Sequence, residues 1–337
     1  MQLYCGIDLH SNNSVISVID ENDQVIKEKR LDNNLDFIHD YLAPFQPNLS
    51  GVVVESTYNW YWLVDGLMDK GYCVHLANTL AIQQYNGIKH TNDETDARFL
   101  AHLLRLGILP TGHIYPKAMR HLRDVLRRRL LMVKQSTAQL LSLQSLISRH
   151  TGKRLTAAQV KRLDDDSIGI YFNDAATLFS ARQSLQLWQQ LQHHIHDIET
   201  YVLANCDQGL YTVITSTPGI GKILGMTILM ETGSINRFEH VGNYSSYARC
   251  VPSQKISNGK LKGRGNTKNG NRYLAMAFVE AAHYATIWNP QIKRYYQKKC
   301  KTVPTMVAKK AVANKLTRAC YHMLKTHEVF DITRAFG

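Results

Sequence analysis

The chain of 337 residues has no C-x-x-C pair; its six cysteines, Cys5, Cys73, Cys206, Cys250, Cys300 and Cys320, are scattered. That spacing fits neither a zinc ribbon nor a disulfide framework, so free thiols in a reducing cytoplasm are expected. No apolar run approaches the roughly 18 residues that a membrane span needs, and no signal peptide is recognisable, so a soluble, cytoplasmic protein is expected. The G-x-x-x-x-G-K-[ST] spacing of a Walker loop is also missing. The most informative scarcity is of acid. Residues 1–112 hold 14 Asp/Glu against 7 Lys/Arg, whereas the remainder holds only 13 acidic residues against 33 basic ones. An acidic module joined to a strongly basic one points to a metal site beside a polyanion-binding surface. A surface built for solubility alone would intersperse the two signs.

The acidic module opens on Leu3-Tyr4-Cys5-Gly6-Ile7-Asp8-Leu9-His10, a strand with one carboxylate at the centre of an apolar run. Burying a lone carboxylate is costly unless something positive sits against it. Ser14 to Asp20 follows as a second strand, Glu21-Asn22-Asp23 turns the chain, and Gln24 to Arg30 returns as a third. Leu35 to Phe45 has helical spacing, Val52–Val54 is a short buried strand, Trp60 to Lys70 is a helix closed by Gly71, and Tyr72 to Leu76 is a strand. Three meandering strands followed by alternating helix and strand describe a ribonuclease-H-like α/β sheet. A helix opening near Asp93 and running to about Leu106 completes it. Asp8 then sits on the central strand, Glu55 at a strand end, and Asp93 and Asp96 on one face of a helix. Four such acids suit hard divalent cations, and two ions can activate a nucleophile and stabilise a leaving oxygen in phosphoryl transfer.

Beyond residue 112 the pattern is helical. Ala118 to about Arg149 is one long amphipathic run, interrupted at Arg129 and Ser136, and Trp188, Leu191, Ile195, Ile198 and Val202 mark a second. Paired helices of this kind make an antiparallel coiled coil or a dimer stalk. Arg127, Arg128 and Arg129 lie in a stretch of twelve basic residues and one acid, and phosphate contacts are expected of them. His193, His194 and His196 read as surface polar residues and not as metal ligands. Pro218-Gly219-Ile220-Gly221-Lys222 resembles a helix-hairpin-helix turn, whose Gly219 and Gly221 would let backbone N–H groups and Lys222 approach a phosphate. Residues 255–272 carry Lys255, Lys260, Lys262, Arg264, Lys268 and Arg272 with four glycines and no acid. They read as a flexible loop that closely approaches a nucleic-acid backbone. Ser257 within it reads on the residues alone as a turn residue, and as a nucleophile it would need activation by the flanking cations, which would stabilise its alkoxide. Tyr273 to Ile287 and Met306 to Leu324 are closing helices.

Gly6-Ile7-Asp8, Val54-Glu55, Thr91-Asn92-Asp93-Glu94-Thr95-Asp96-Ala97-Arg98, Pro218-Gly219-Ile220-Gly221 and Val251-Pro252 through Ser257-Asn258-Gly259-Lys260 together resemble transposases of the insertion sequence 110 family, in particular its insertion sequence 1111 subgroup. The resemblance implies a RuvC-like domain over 1–112, a helical coiled-coil connector over 113–206 and a mainly helical transposase domain over 207–337. It further implies a metal-binding D-E-D-D site of Asp8, Glu55, Asp93 and Asp96 holding Mg²⁺ or Mn²⁺, and a catalytic serine at Ser257. Partners implied are double-stranded DNA of element ends and target, a structured non-coding guide RNA, and further copies of the chain in a dimer or tetramer. The family's usual Ser-Ser-Gly-Gly-Lys is here Ile256-Ser257-Asn258-Gly259-Lys260, with Ser253 as the fallback nucleophile.

Other classes remain open on the residues alone. A metal-dependent junction or flap nuclease would use only the acids. A sugar-kinase or ATPase relative of the same sheet needs small glycines after Asp8, where this chain has Leu9-His10-Ser11-Asn12-Asn13. A non-catalytic RNA-binding scaffold would leave the four acids without a role.

Overall fold

A computed structural model describes residues 1–82, 93–253, 255–263 and 269–337, with the side chains of Lys255, Ile256 and Leu261 left aside. Thr91, Asn92, Arg264, Lys268 and the side chain of Lys255 therefore lie outside the described residues. Close contacts group the chain into two compact units: Met1–Lys117 with Ser253–Asn269, and Ala118–Pro252 with Gly270–Gly337.

The first unit is built on a sheet. Its elements run β1 (Leu3–Leu9), β2 (Asn13–Asp20), β3 (Val25–Asp32), α1 (Leu35–Leu42), β4 (Leu49–Glu55), α2 (Tyr61–Asp69), β5 (Val74–Ala77), α3 (Asp93–Arg105) and β6 (Thr111–Gly112). The strand order is β3-β2-β1-β4-β5-β6. β1 pairs parallel with β4, β4 parallel with β5, and the remaining neighbours are antiparallel. β1 is central and covered on both faces, which is why its sequence reads as a nearly continuous apolar run. β3 is the mostly exposed edge, and its Lys27-Glu28-Lys29-Arg30 places charges where a bare edge would invite pairing with another chain. Asn34 caps α1 by accepting from the amides of Asp36 and Phe37. β6 was not anticipated; two residues are too short to leave a periodic signal.

The second unit is mainly helical: α4 (Lys117–Thr151), α5 (Ala157–Val160), α6 (Ala175–Asn205), α7 (Gln208–Thr215), α8 (Lys222–Thr232) and α9 (Val241–Tyr247). After the hairpin strands β7 (Lys255–Ser257) and β8 (Lys260–Gly263), which group with the first unit, come α10 (Arg272–Trp288), α11 (Pro290–Cys300), α12 (Thr305–Thr326) and α13 (Ile332–Phe336). α4 and α6 are antiparallel. Leu143 and Ile147 share a core with Ala181 and Leu185, and Leu126 shares one with Val202. The two polar interruptions in the α4 pattern are cross-helix pairs: Gln192 Nε2 donates to Ser136 Oγ at 2.6 Å, and Arg129 Nε donates to Glu199 Oε1 at 2.7 Å. Polar residues in an otherwise apolar seam of this kind fix its register.

One expectation is corrected. Residues 255–263 are not a flexible loop but a hairpin, β7 pairing antiparallel with β8. Asn258 and Gly259 both adopt positive φ, 50° and 69°, the geometry of a type I′ turn. Asn-Gly is the residue pair that such a turn favours, and the density of basic and glycine residues around it masked that signal. All six cysteines are free, as their spacing suggests. Among the described residues, no helix is long and apolar enough to cross a membrane.

Candidate metal centre

Strand register brings the first two acids together. Ile7 is level with Val54 on the parallel pair β1/β4, so Asp8 and Glu55 follow side by side. Asp8 is only 4% exposed. The other two acids arrive on α3, and Gly6 makes that possible. A Cβ on Gly6 would lie 2.0 Å from the carbonyl oxygen of Ala97 and 2.8 Å from the amide nitrogen of Ala101. The helix backbone rests directly on the strand, with Ala97 and Ala101 as the small residues beneath it. The first turn of α3, with Asp93, Glu94 and Asp96, is thereby set against the carboxyl end of β1, and its helix N-terminus favours those negative charges.

The electrostatics record the crowding. Burial, a hydrogen bond with Asp8 and the charges of Asp8 and Asp96 push the Glu55 carboxyl up to about 8. Partial burial raises Asp96 as well, followed by the charges of Asp8 and Asp93, against a smaller opposing effect of His10. Asp93 moves the other way, because the Arg30 guanidinium donates to its Oδ2 at 2.6 Å. Carboxylates held close enough to raise Glu55 and Asp96, with Arg30 answering Asp93 alone, suit a site that takes up a cation.

Two contributors were missed in the sequence. His10 Nε2 stands 3.3 Å from Asp8 Oδ2 and 3.4 Å from Asp93 Oδ2. This nitrogen is inaccessible to solvent yet lacks the alignment of a hydrogen bond to either carboxylate. Ligand atoms of Asp8, His10 and Asp93 all lie within 4.8 Å of one another. The set fits a divalent cation: carboxylate oxygens, a ring nitrogen with no hydrogen-bond partner, and a neighbouring acid whose pKa is raised. The signal for His10 was its position two residues beyond Asp8. Arg30 is the second. Asp8 pairs with Val15 and Val15 with Arg30, so all three lie in one row across the sheet. Sequence alone does not give that register.

The His10 segment is fastened from behind. Its carbonyl accepts from Asn33 Nδ2 and from Asn59 Nδ2, each at 3.0 Å, and its amide donates to the Asn13 carbonyl at 2.9 Å. Asn33 is held by Ser14 Oγ at 2.7 Å.

Ser257 is exposed at the end of β7, level with Lys260 across the turn. Its hairpin groups with the acidic unit, where Asn78 Nδ2 reaches Asn269 Oδ1 at 3.4 Å. Among the described residues, no hydrogen bond joins Ser257 to an acid. Lys260 and Lys262 are exposed on the hairpin, and Arg272 is exposed at the start of α10.

The remaining basic residues divide by what they touch. Arg127 donates through Nε and Nη2 to both oxygens of Glu231, each at 2.6 Å, and lies 4.5 Å over the Tyr273 ring. Glu231 is 3% exposed and also accepts from Asn271 Nδ2 at 2.7 Å. Arg129 is committed to Glu199, and Lys222 Nζ stands 3.7 Å from the same carboxylate. Arg128 is exposed. Gly219, at φ 86°, serves packing: a Cβ there would lie 2.2 Å from the Ala281 carbonyl oxygen of α10. Gly221 precedes α8 with open space around it.

Comparison with known proteins agrees with this geometry. Residues 5–151 match the family DEDD_Tnp_IS110, described as "Transposase", and residues 211–297 match Transposase_20, described as "Transposase IS116/IS110/IS902 family". The chain is 29% identical over 89 residues to the "Insertion element IS110 uncharacterized 43.6 kDa protein" of Streptomyces coelicolor. That match takes in 26% of this chain and spans about a fifth of the relative's length (22%). The sheet with its acidic cluster is consistent with a RuvC-like fold.

Proposed function

We propose that the chain is a transposase of the IS110 family, whose two domain models match residues 5–151 and 211–297, and that it cuts and rejoins DNA at the acidic centre of its first unit. The observation that carries the reading is the convergence of Asp8, Glu55, Asp93 and Asp96 with His10, with Glu55 pushed up to about 8 for want of a compensating charge. A divalent cation, Mg²⁺ or Mn²⁺, would be held by Asp8, His10, Asp93 and their neighbours Glu55 and Asp96, and when bound would neutralise charge on the phosphate being transferred. Arg30 fixes the orientation of Asp93, and Asn33 and Asn59 fix the backbone of His10.

In the finer reading, the chain is of the insertion sequence 1111 type and Ser257 is the nucleophile. Its Oγ forms a bond to phosphorus as the bond to the departing sugar oxygen breaks. The serine proton passes to solvent and the departing oxygen takes one up; rejoining reverses these steps. The exposure of Ser257 at the end of β7, beside a two-residue turn and in the same unit as the acids, supports that role. Lys260 and Lys262 supply positive charge on the same hairpin. A structured guide RNA and assembly into dimers or tetramers belong to the same proposal. The 33 basic residues beyond position 112 supply the charge for two polyanions, and joining two DNA partners calls for more than one copy.

The test is a denaturing-gel trapping assay with the full chain, its co-purifying RNA and labelled element-end DNA in Mg²⁺. A protein–DNA adduct is expected in wild type and not in Ser257→Ala, and Asp8→Asn is expected to abolish cleavage. Cleavage without adduct in both wild type and Ser257→Ala would make the protein a junction or flap nuclease. Unchanged products after ribonuclease treatment would remove the guide RNA.

A further inference from the structure

Between Glu55 and α2 runs Ser56-Thr57-Tyr58-Asn59-Trp60, the start of an aromatic stretch that continues into Tyr61 and Trp62. Trp60 and Trp62 pack against the core of the sheet, and Trp60 meets Tyr61 edge-on at 4.6 Å. Tyr58 differs. It is 84% exposed, the highest value among the exposed large hydrophobic residues described. Among the described residues it has no hydrogen bond, ion pair or ring contact.

The segment carrying it is nonetheless held firmly. The Thr57 amide donates to the Glu55 carbonyl at 3.0 Å, Thr57 Oγ1 donates to Asn59 Oδ1 at 2.9 Å, and Asn59 Nδ2 donates to the His10 carbonyl at 3.0 Å. Tyr58 is therefore presented from a turn fastened on one side to Glu55 and on the other to His10, both members of the acidic centre. An exposed ring forgoes the burial that usually justifies a large aromatic residue, so this turn gains nothing in folding stability from it. What it gains is a flat apolar face whose placement costs little ordering on binding. Its immediate neighbours, Ser56, Thr57, Asn59 and Trp60, are uncharged, so the turn is suited to a base and not to a phosphate.

We infer that Tyr58 is a stacking platform for an unpaired nucleobase next to the phosphate handled at the Asp8–Glu55–Asp93–Asp96 centre. Stacking of this kind accepts any base, because every base has a π-face, and it favours a strand already unstacked at the point of reaction. The inference rests on the transposase reading and adds to it the strand feature that the acidic unit would select.

The test measures stacking separately from cleavage. The full chain in EDTA is titrated into a duplex carrying one unpaired 2-aminopurine, and cleavage of element-end DNA in Mg²⁺ is followed in parallel. Wild type and Tyr58→Phe are expected to quench the fluorophore. Tyr58→Ala is expected to lose the quench and to bind the unpaired-base duplex about 5- to 150-fold more weakly, the range that one stacked base supplies. Affinity for a fully paired duplex is expected to stay unchanged, which separates stacking from misfolding. If Tyr58→Ala quenches and binds like wild type while cleavage persists, the platform is overturned and the transposase reading stands. If wild type neither binds nor cuts any DNA, both fall. If Tyr58→Ala leaves the quench intact but dissociates an oligomer in sedimentation, the ring is a protein contact and the inference is wrong.

Discussion

The two units treat a buried acid in opposite ways. In the helical unit, Glu231 is 3% exposed and fully answered: two bonds from Arg127, one from Asn271, and the guanidinium stacked on Tyr273. In the sheet unit, Glu55 is half-buried among other acids, and its carboxyl is pushed up to about 8. A satisfied buried charge is part of the scaffold, whereas an unsatisfied one marks a place where something else is expected to bind. The same contrast corrects how a run of arginines is read. Arg127 and Arg129 stand in a strongly basic stretch, yet both spend their guanidinium groups on internal carboxylates.

The comparison is broken most forcefully at Glu231. Arg127→Ala leaves that carboxylate buried and uncompensated, and is expected to destabilise the protein by about 3–5 kcal/mol. The double replacement Arg127→Met with Glu231→Leu is expected to cost clearly less than either single change. Chemical denaturation of the three variants measures this. An additive double variant would mean that the pair is not a compensated unit.

Next in size is Gly6→Ala. Its Cβ would sit 2.0 Å from a backbone oxygen of α3, so helix and strand must part. Overpacking of this kind costs about 1–3 kcal/mol. The more telling readout is affinity for Mn²⁺ by titration calorimetry, expected to fall because Asp93 and Asp96 are carried away from Asp8. Retained stability and affinity would show that α3 is not seated through Gly6.

The smallest effect is a pH slope. Below pH about 4.5 both the folded and the unfolded chain carry the Glu55 proton, so its burial costs nothing. Between about 4.5 and about 8 the unfolded chain releases that proton and the folded chain keeps it. The folded form then binds more protons, and stability of the protein in EDTA falls as pH rises through that window, levelling off above it. Glu55→Gln is expected to remove this component, and a saturating divalent cation to flatten it. Melting temperatures across the range, with wild type and variant side by side, decide the matter.

Much of the sheet was legible because its strands are apolar runs broken by recognisable turns, and because Gly71 closes a helix. The hairpin at Asn258-Gly259 carried a clear local signal that the surrounding basic and glycine residues concealed. The divided roles of Arg127, Arg128 and Arg129 carried none, since three identical neighbours on one helix differ only in what the other helices place opposite them.

Sequence by itself determined the charge asymmetry, the long amphipathic helices, the meander that opens the chain, and the four acids together with Ser257 as candidates. The first four follow from local pattern and composition, and Ser257 from the resemblance to the transposase family. Only the tertiary structure decided that His10 and Arg30 join the acidic cluster, that Gly6 and Gly219 serve to seat helix backbones, and that Tyr58 faces water while Trp60 and Trp62 do not. Each depends on which strand lies in which register and which helix rests on which strand. Those are contacts between residues far apart in the chain, and no local pattern encodes them.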